Sequence, residues 1–126
     1  MKNLTDIKFR VWDRLLNKWG NPSDFLGISP TGQLICENSV QPKNSIVQQF
    51  TGLTDKNGKE IFEGDIAKAT TSYNGYLGQI EWNKCEGQWV FATILSKRTP
   101  YGYRLSYGYS KWEVVGNIFE NPELLK

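Results

Sequence analysis

Alternation with a period of two is what most limits how this chain can fold. In Ile7–Asp13, the side chains of Ile7, Phe9 and Val11 fall on one side and those of Lys8, Arg10 and Trp12 on the other. Leu77–Asn83 sets Leu77, Gln79, Glu81 and Asn83 against Gly78, Ile80 and Trp82. Gln88–Leu95 is the strongest case, with Trp89, Phe91, Thr93 and Leu95 against Val90, Ala92 and Ile94. This period is that of a β-strand. Apolar residues on both sides of Gln88–Leu95 predict a strand covered on both faces. No helical pattern exceeds about two turns, where an average helix has about three. Strands recur about every 8–12 residues, the rhythm of a small barrel or sandwich.

Turn-forming residues punctuate these runs. Trp19–Pro22, Ser29–Gly32, Ser72–Gly75 and Lys84–Gly87 read as turns or loops. Phe25–Ile28, Gln33–Glu37, Ile46–Phe50 and Trp112–Val115 read as short extended pieces. Ile66–Thr71 reads as a strand whose Ala67 and Ala69 let another layer come close. Asn38–Ser45 carries Pro42 and polar residues and reads as an exposed loop. Glu123–Lys126 is too short for a stable helix by itself. Ile66–Thr71 and Leu77–Val115 together have the size and rhythm of a small SH3-like barrel. The expected fold is therefore all-β. It is one domain over residues 1–126, with a barrel core from about Phe50 to Phe119 and an N-terminal β-extension over residues 1–49.

The stretch Gln49–Ile66 combines two turns with little reactive chemistry. Asp55 is placed to cap a β-turn with its carboxylate, and Gly58 supplies the positive φ that the turn needs. Ile61-Phe62 then enters a second turn at Glu63-Gly64-Asp65.

Composition removes several function classes. The chain has no histidine, so the commonest general base and metal ligand are missing. Fifteen basic and thirteen acidic residues give a net charge of +2, far from the field of a protein that binds nucleic acid by electrostatics alone. Cys36 and Cys85 are isolated, and no apolar leader precedes them, so both thiols are expected to be reduced, and buried or inert. No apolar run approaches the roughly 20 residues needed to span a bilayer. A cytoplasmic protein without membrane contact is expected.

Three segments carry a family resemblance: Ile7–Asp13 with Arg10, Trp12 and Asp13; Gln49–Ile66 with Gly52, Asp55, Gly58, Glu63, Gly64 and Asp65; and Val114–Leu125 with Gly116, Asn117, Asn121 and Pro122. Their order and positions resemble the YopX proteins of phages and prophages from end to end. The resemblance implies a β-rich fold that includes an SH3-type barrel, and it brings no catalytic residue and no cofactor.

Four constellations could still carry chemistry. Glu60, Glu63 and Asp65 offer oxygen ligands suited to Mg²⁺ or Ca²⁺, but their spacing fits no twelve-residue Ca²⁺ loop, and turn chemistry accounts for them. Arg10 invites a carboxylate partner such as Asp65 or Glu120, a structural fork more often than a catalytic one. Asp55–Lys59 lacks the glycine spacing of a phosphate-binding loop and reads as a hairpin turn. Lys97, Arg98, Tyr101, Tyr103, Arg104, Tyr107, Tyr109, Lys111 and Trp112 interleave cations with aromatic faces. That composition suits single-stranded nucleic acid, and equally suits a protein interface. The expected function is therefore non-catalytic: binding to a protein partner or to a second copy, with nucleic-acid binding through residues 97–112 as the alternative. No enzyme activity, cofactor or metal is expected.

Overall fold

The structure, a computed structural model, describes residues 7–21, 25–36, 39–40, 44–69, 77–93, 103–104 and 112–125. It divides into two compact units, Ile7–Gln49 and Phe50–Lys126. Among the described residues, their regular secondary structure is β-strand, apart from one short 3-10 turn at Pro122–Leu125. No helix among the described residues is long and apolar enough to cross a membrane.

In the first unit, β1 (Phe9–Asp13) pairs antiparallel with β2 (Lys18–Trp19). It also pairs with the leading half of β6 (Ser45–Thr54), from Phe9 opposite Gln49 to Asp13 opposite Ser45. The β1–β2 turn is organised by Asp13, whose Oδ1 accepts the N–H groups of Leu15 and Leu16 at 2.8 and 2.9 Å. Asn17 then takes φ 54°, a conformation that asparagine tolerates. The chain thus reverses before Lys18, and Trp19 is a strand residue opposite Trp12. The expected turn at Trp19–Pro22 is corrected accordingly for Trp19; Pro22 lies outside the described residues.

Burial in β1 falls on neighbouring residues of both sides. Ile7 and Phe9 are 51% and 41% exposed, whereas Val11 and Trp12 are buried. Trp19 meets Trp12 edge-on at 4.9 Å between centroids, and the Arg10 guanidinium lies 4.4 Å from the centroid of Trp19. Trp19 and the cation beside it cover Trp12, and Val11 is buried on the opposite side. A three-stranded antiparallel sheet completes the unit: β3 (Phe25–Ile28), β4 (Leu34–Cys36) and β5 (Ser39–Val40). The expected loop at residues 38–45 contains β5, and residues 41–43 lie outside the described residues.

In the second unit, the trailing half of β6 pairs with β7 (Glu60–Phe62) across the predicted turn. Five further strands follow: β8 (Asp65–Ala69), β9 (Leu77–Asn83), β10 (Gln88–Thr93), β11 (Tyr103–Arg104) and β12 (Trp112–Asn117). They form an antiparallel sheet in the order β11-β10-β9-β8-β12. β10 lies inside this sheet with Val90 and Phe91 both buried, as its two apolar faces predicted.

The core gathers Ile61, Ala67, Ala69, Ile80, Phe91 and Trp112, with Leu53, Trp89 and Val114 packed against it. Phe91 and Trp112 stack at 4.4 Å and 28°. Ala69 faces Trp112 in register, and Ala67 faces Val114. Small side chains on β8 leave room for the indole, which is the close approach expected there.

Candidate functional site

Asp55 is 4% exposed, yet every bond it makes is to main chain. Its Oδ1 accepts the N–H groups of Asn57 and Lys59 at 2.8 and 2.9 Å, and its Oδ2 accepts that of Val114 at 2.9 Å. Burial pushes its carboxyl pKa up, but the N–H groups of Val114, Lys59 and Asn57, with the Lys59 charge, outweigh this and hold it below the usual value. Gly58, at φ 81°, lets the chain turn around this carboxylate. Asp55 is thus a structural staple.

Asp65 plays a similar part. It is 2% exposed, and its Oδ2 accepts the Phe62 N–H at 2.8 Å. Gly64 donates its N–H to the Ile80 carbonyl, and its own carbonyl accepts from Ile118. Glu60 and Glu63 are half-buried. No group of three metal-ligating side chains converges among the described residues.

The C-terminal segment of the resemblance is also a turn. Asn117 Oδ1 accepts the N–H groups of Phe119 and Glu120, and its amide nitrogen donates to Glu120 Oε1. Asn121 Oδ1 accepts the Asn117 N–H at 3.3 Å, and Pro122 opens the 3-10 turn. Gly116 fits because a Cβ there would sit 2.6 Å from Asn121 Oδ1. Gly52 is exposed within the β6 stretch where the β6–β7 register shifts. Arg10 donates from Nε to Gln48 Oε1 at 2.9 Å, beside its contact with Trp19, so an amide and an aromatic face hold it.

The basic, tyrosine-rich segment falls largely outside the described residues: Lys97, Arg98, Tyr101, Tyr107, Tyr109 and Lys111 all lie there. Tyr103 and Arg104 form β11. Trp112 is buried and stacked on Phe91, so it belongs to the core and offers no face to a ligand.

Two features that the alternation pattern did not single out are open to solvent. Trp82 is 46% exposed, pairs in register with Trp89, and meets it edge-on at 5.1 Å. The β9–β10 turn beside them is held by Asn83, whose Oδ1 accepts the N–H groups of Cys85 and Glu86. Counting outward from that turn pairs the two tryptophans, so register was the missed signal. Cys36 and Cys85 are free; Cys85 is exposed at the turn and Cys36 is half-buried, so of the expected alternatives, buried or inert, burial does not hold. In the first unit, a 430 Å³ cavity is lined by Val11, Asp13, Lys18, Trp19, Phe25 and Cys36, among others. It is large enough for a small ligand or a side chain.

Comparison with known proteins agrees with the resemblance. Protein EF1440 from Enterococcus faecalis, a crystal structure, is 26% identical with a TM-score of 0.61, covering 95% of this chain and 98% of that one. Protein yopX from Bacillus subtilis is 23% identical with a TM-score of 0.49, covering 94% and 95%. No curated protein matches the chain. The family described as YopX protein matches residues 8–126, and the chain belongs to that family.

Proposed function

We propose that this chain is a non-catalytic phage or prophage protein that acts in the host cytoplasm by binding protein, either a partner or a second copy. The observation that carries this reading is Trp82, exposed yet held by Trp89. A tryptophan whose rotamer is already restrained loses little entropy on contact, and such residues dominate interface energies. The two buried carboxylates of the central signature support the same reading. Asp55 and Asp65 accept main-chain N–H groups, a structural use of both carboxylates, and those bonds hold the Asp55 pKa below its usual value.

We take the second unit as an SH3-like barrel. Five short antiparallel strands flank one core, and the register shift between Val114 and Gly116 marks a bulge in the last strand, a feature frequent in small barrels.

The test compares wild type with Trp82→Ser by size exclusion with light scattering, then by affinity capture. Wild type is expected to self-associate or to retain a defined protein, and Trp82→Ser to do neither. A labelled single-stranded oligonucleotide at low salt is expected to stay free of both. Salt-sensitive oligonucleotide binding, or substrate turnover that Asp65→Asn abolishes, overturns the proposal.

A further inference from the structure

The cavity of the first unit is lined entirely by residues of Ile7–Gln49. One wall is a face of the β1 sheet. Val11 and Asp13 share that face, and Lys18 on β2 stands opposite Asp13. Another wall is the register pair Phe25 and Cys36, from β3 and β4. Gly20 sets the position of Phe25. A Cβ on Gly20 would sit 2.7 Å from Phe25 Cζ and 2.8 Å from Cε2, so the ring lies directly against bare main chain. The backbone at Gly20 has no positive φ, and it is the ring that needs the glycine.

The lining has an apolar part and one charge of each sign. Val11, Phe25 and Leu16 supply the apolar part, and Leu16 is 59% exposed. Asp13 spends Oδ1 on the main chain of its turn, whereas Oδ2 accepts no hydrogen bond among the described residues. Lys18 is exposed and makes no ion pair with Asp13, although the two are opposite in register. Opposite charges so placed gain by meeting each other or a ligand that answers both. We propose that this cavity binds a free α-amino acid with an apolar side chain. The ammonium group meets Asp13 Oδ2, the carboxylate meets Lys18 Nζ, and the side chain lies among Val11, Leu16 and Phe25. Paired strands hold the Cα atoms of Asp13 and Lys18 about 5 Å apart, close enough for the two charged groups of one α-carbon. A ligand with a single charge answers one of the two residues and repels the other. A cavity of 430 Å³ is within the range of small-molecule sites. The site shares no residue with the Trp82 surface, so either can fail without the other.

An NMR titration of the isotope-labelled full chain reads both affinity and place. L-leucine or L-phenylalanine is expected to shift the amides of Asp13, Lys18, Gly20, Phe25 and Cys36, with a Kd of about 1 mM or tighter. Phenethylamine lacks the carboxylate and 3-phenylpropionate lacks the ammonium group. Each is expected to bind about tenfold more weakly. Asp13→Asn keeps an Oδ1 acceptor for the turn and is expected to weaken amino-acid binding about tenfold. Gly20→Ala displaces the Phe25 ring and is expected to abolish binding. No shift of these amides at about 10 mM amino acid overturns the proposal. So does equal binding of either analogue, or undiminished binding by Asp13→Asn or Gly20→Ala. Should a variant fail to fold, the wild-type comparison of the amino acids with the two analogues decides.

Discussion

Asp55 is a charged residue buried to 4% exposure. It joins a local turn to a strand 59 positions away through three main-chain hydrogen bonds. Asp55→Ala leaves three N–H groups short of a charged acceptor, each bond being worth about 1.5–3 kcal/mol. Chemical denaturation at pH 7 is predicted to show a loss of more than about 3 kcal/mol. The pH dependence has a definite sign. The folded-state pKa lies below the unfolded value, so the contribution is complete above about pH 4. It is lost as the pH falls through the folded-state value. The stability gap between wild type and Asp55→Asn is predicted to hold above about pH 4 and to narrow as the pH falls below it, as urea midpoints at several pH values will show.

Part of this residue-scale logic was legible in the sequence. Asp55 and Gly58 follow local turn rules, and those rules hold. The bond to Val114 was not legible, because no local pattern ties residue 55 to residue 114. Trp112 fails for a related reason. Beside lysines and tyrosines it reads as a ligand platform, whereas its register partner Ala69 and its neighbour Phe91 make it core. Trp112→Ala is predicted to cost about 3–5 kcal/mol, measured by thermal or urea unfolding.

Among the elements, strands were easier to foresee than their faces. β9 and β10 alternate as predicted, and their pairing follows from the turn between them. β1 alternates too, but Val11 and Trp12 are both buried, and the contacts of Arg10 and Trp12 come from Gln48 and Trp19 on other strands, which no local pattern gives. The C-terminal turn offers a sharper test. A Cβ on Gly116 meets Oδ1, Cγ and Cβ of Asn121 at 2.6, 2.8 and 2.9 Å, so the whole asparagine side chain must move. Gly116→Ala is predicted to cost about 1–3 kcal/mol. In Gly116→Ala with Asn121→Ala, the two costs are predicted to fall short of additive, because the clash is already gone. A double-mutant cycle by urea unfolding measures that coupling.

For the whole molecule, the sequence segments that carry the family resemblance are the strand β1 and, further on, turns with the strands that flank them. They hold the chain together by main-chain bonds and, at Arg10, by a side-chain amide and an indole, which is why they say much about fold and little about partners. The exposed Trp82 lies outside those segments, on a hairpin the family resemblance did not emphasise. The most direct test of the binding account places the photocrosslinker p-benzoylphenylalanine at Trp82 in producing cells, with Leu15, 76% exposed, as the control position. The account predicts a discrete protein adduct, with a partner or a second copy, from position 82 and none from position 15. No adduct from position 82, or the same adducts from both positions, contradicts it.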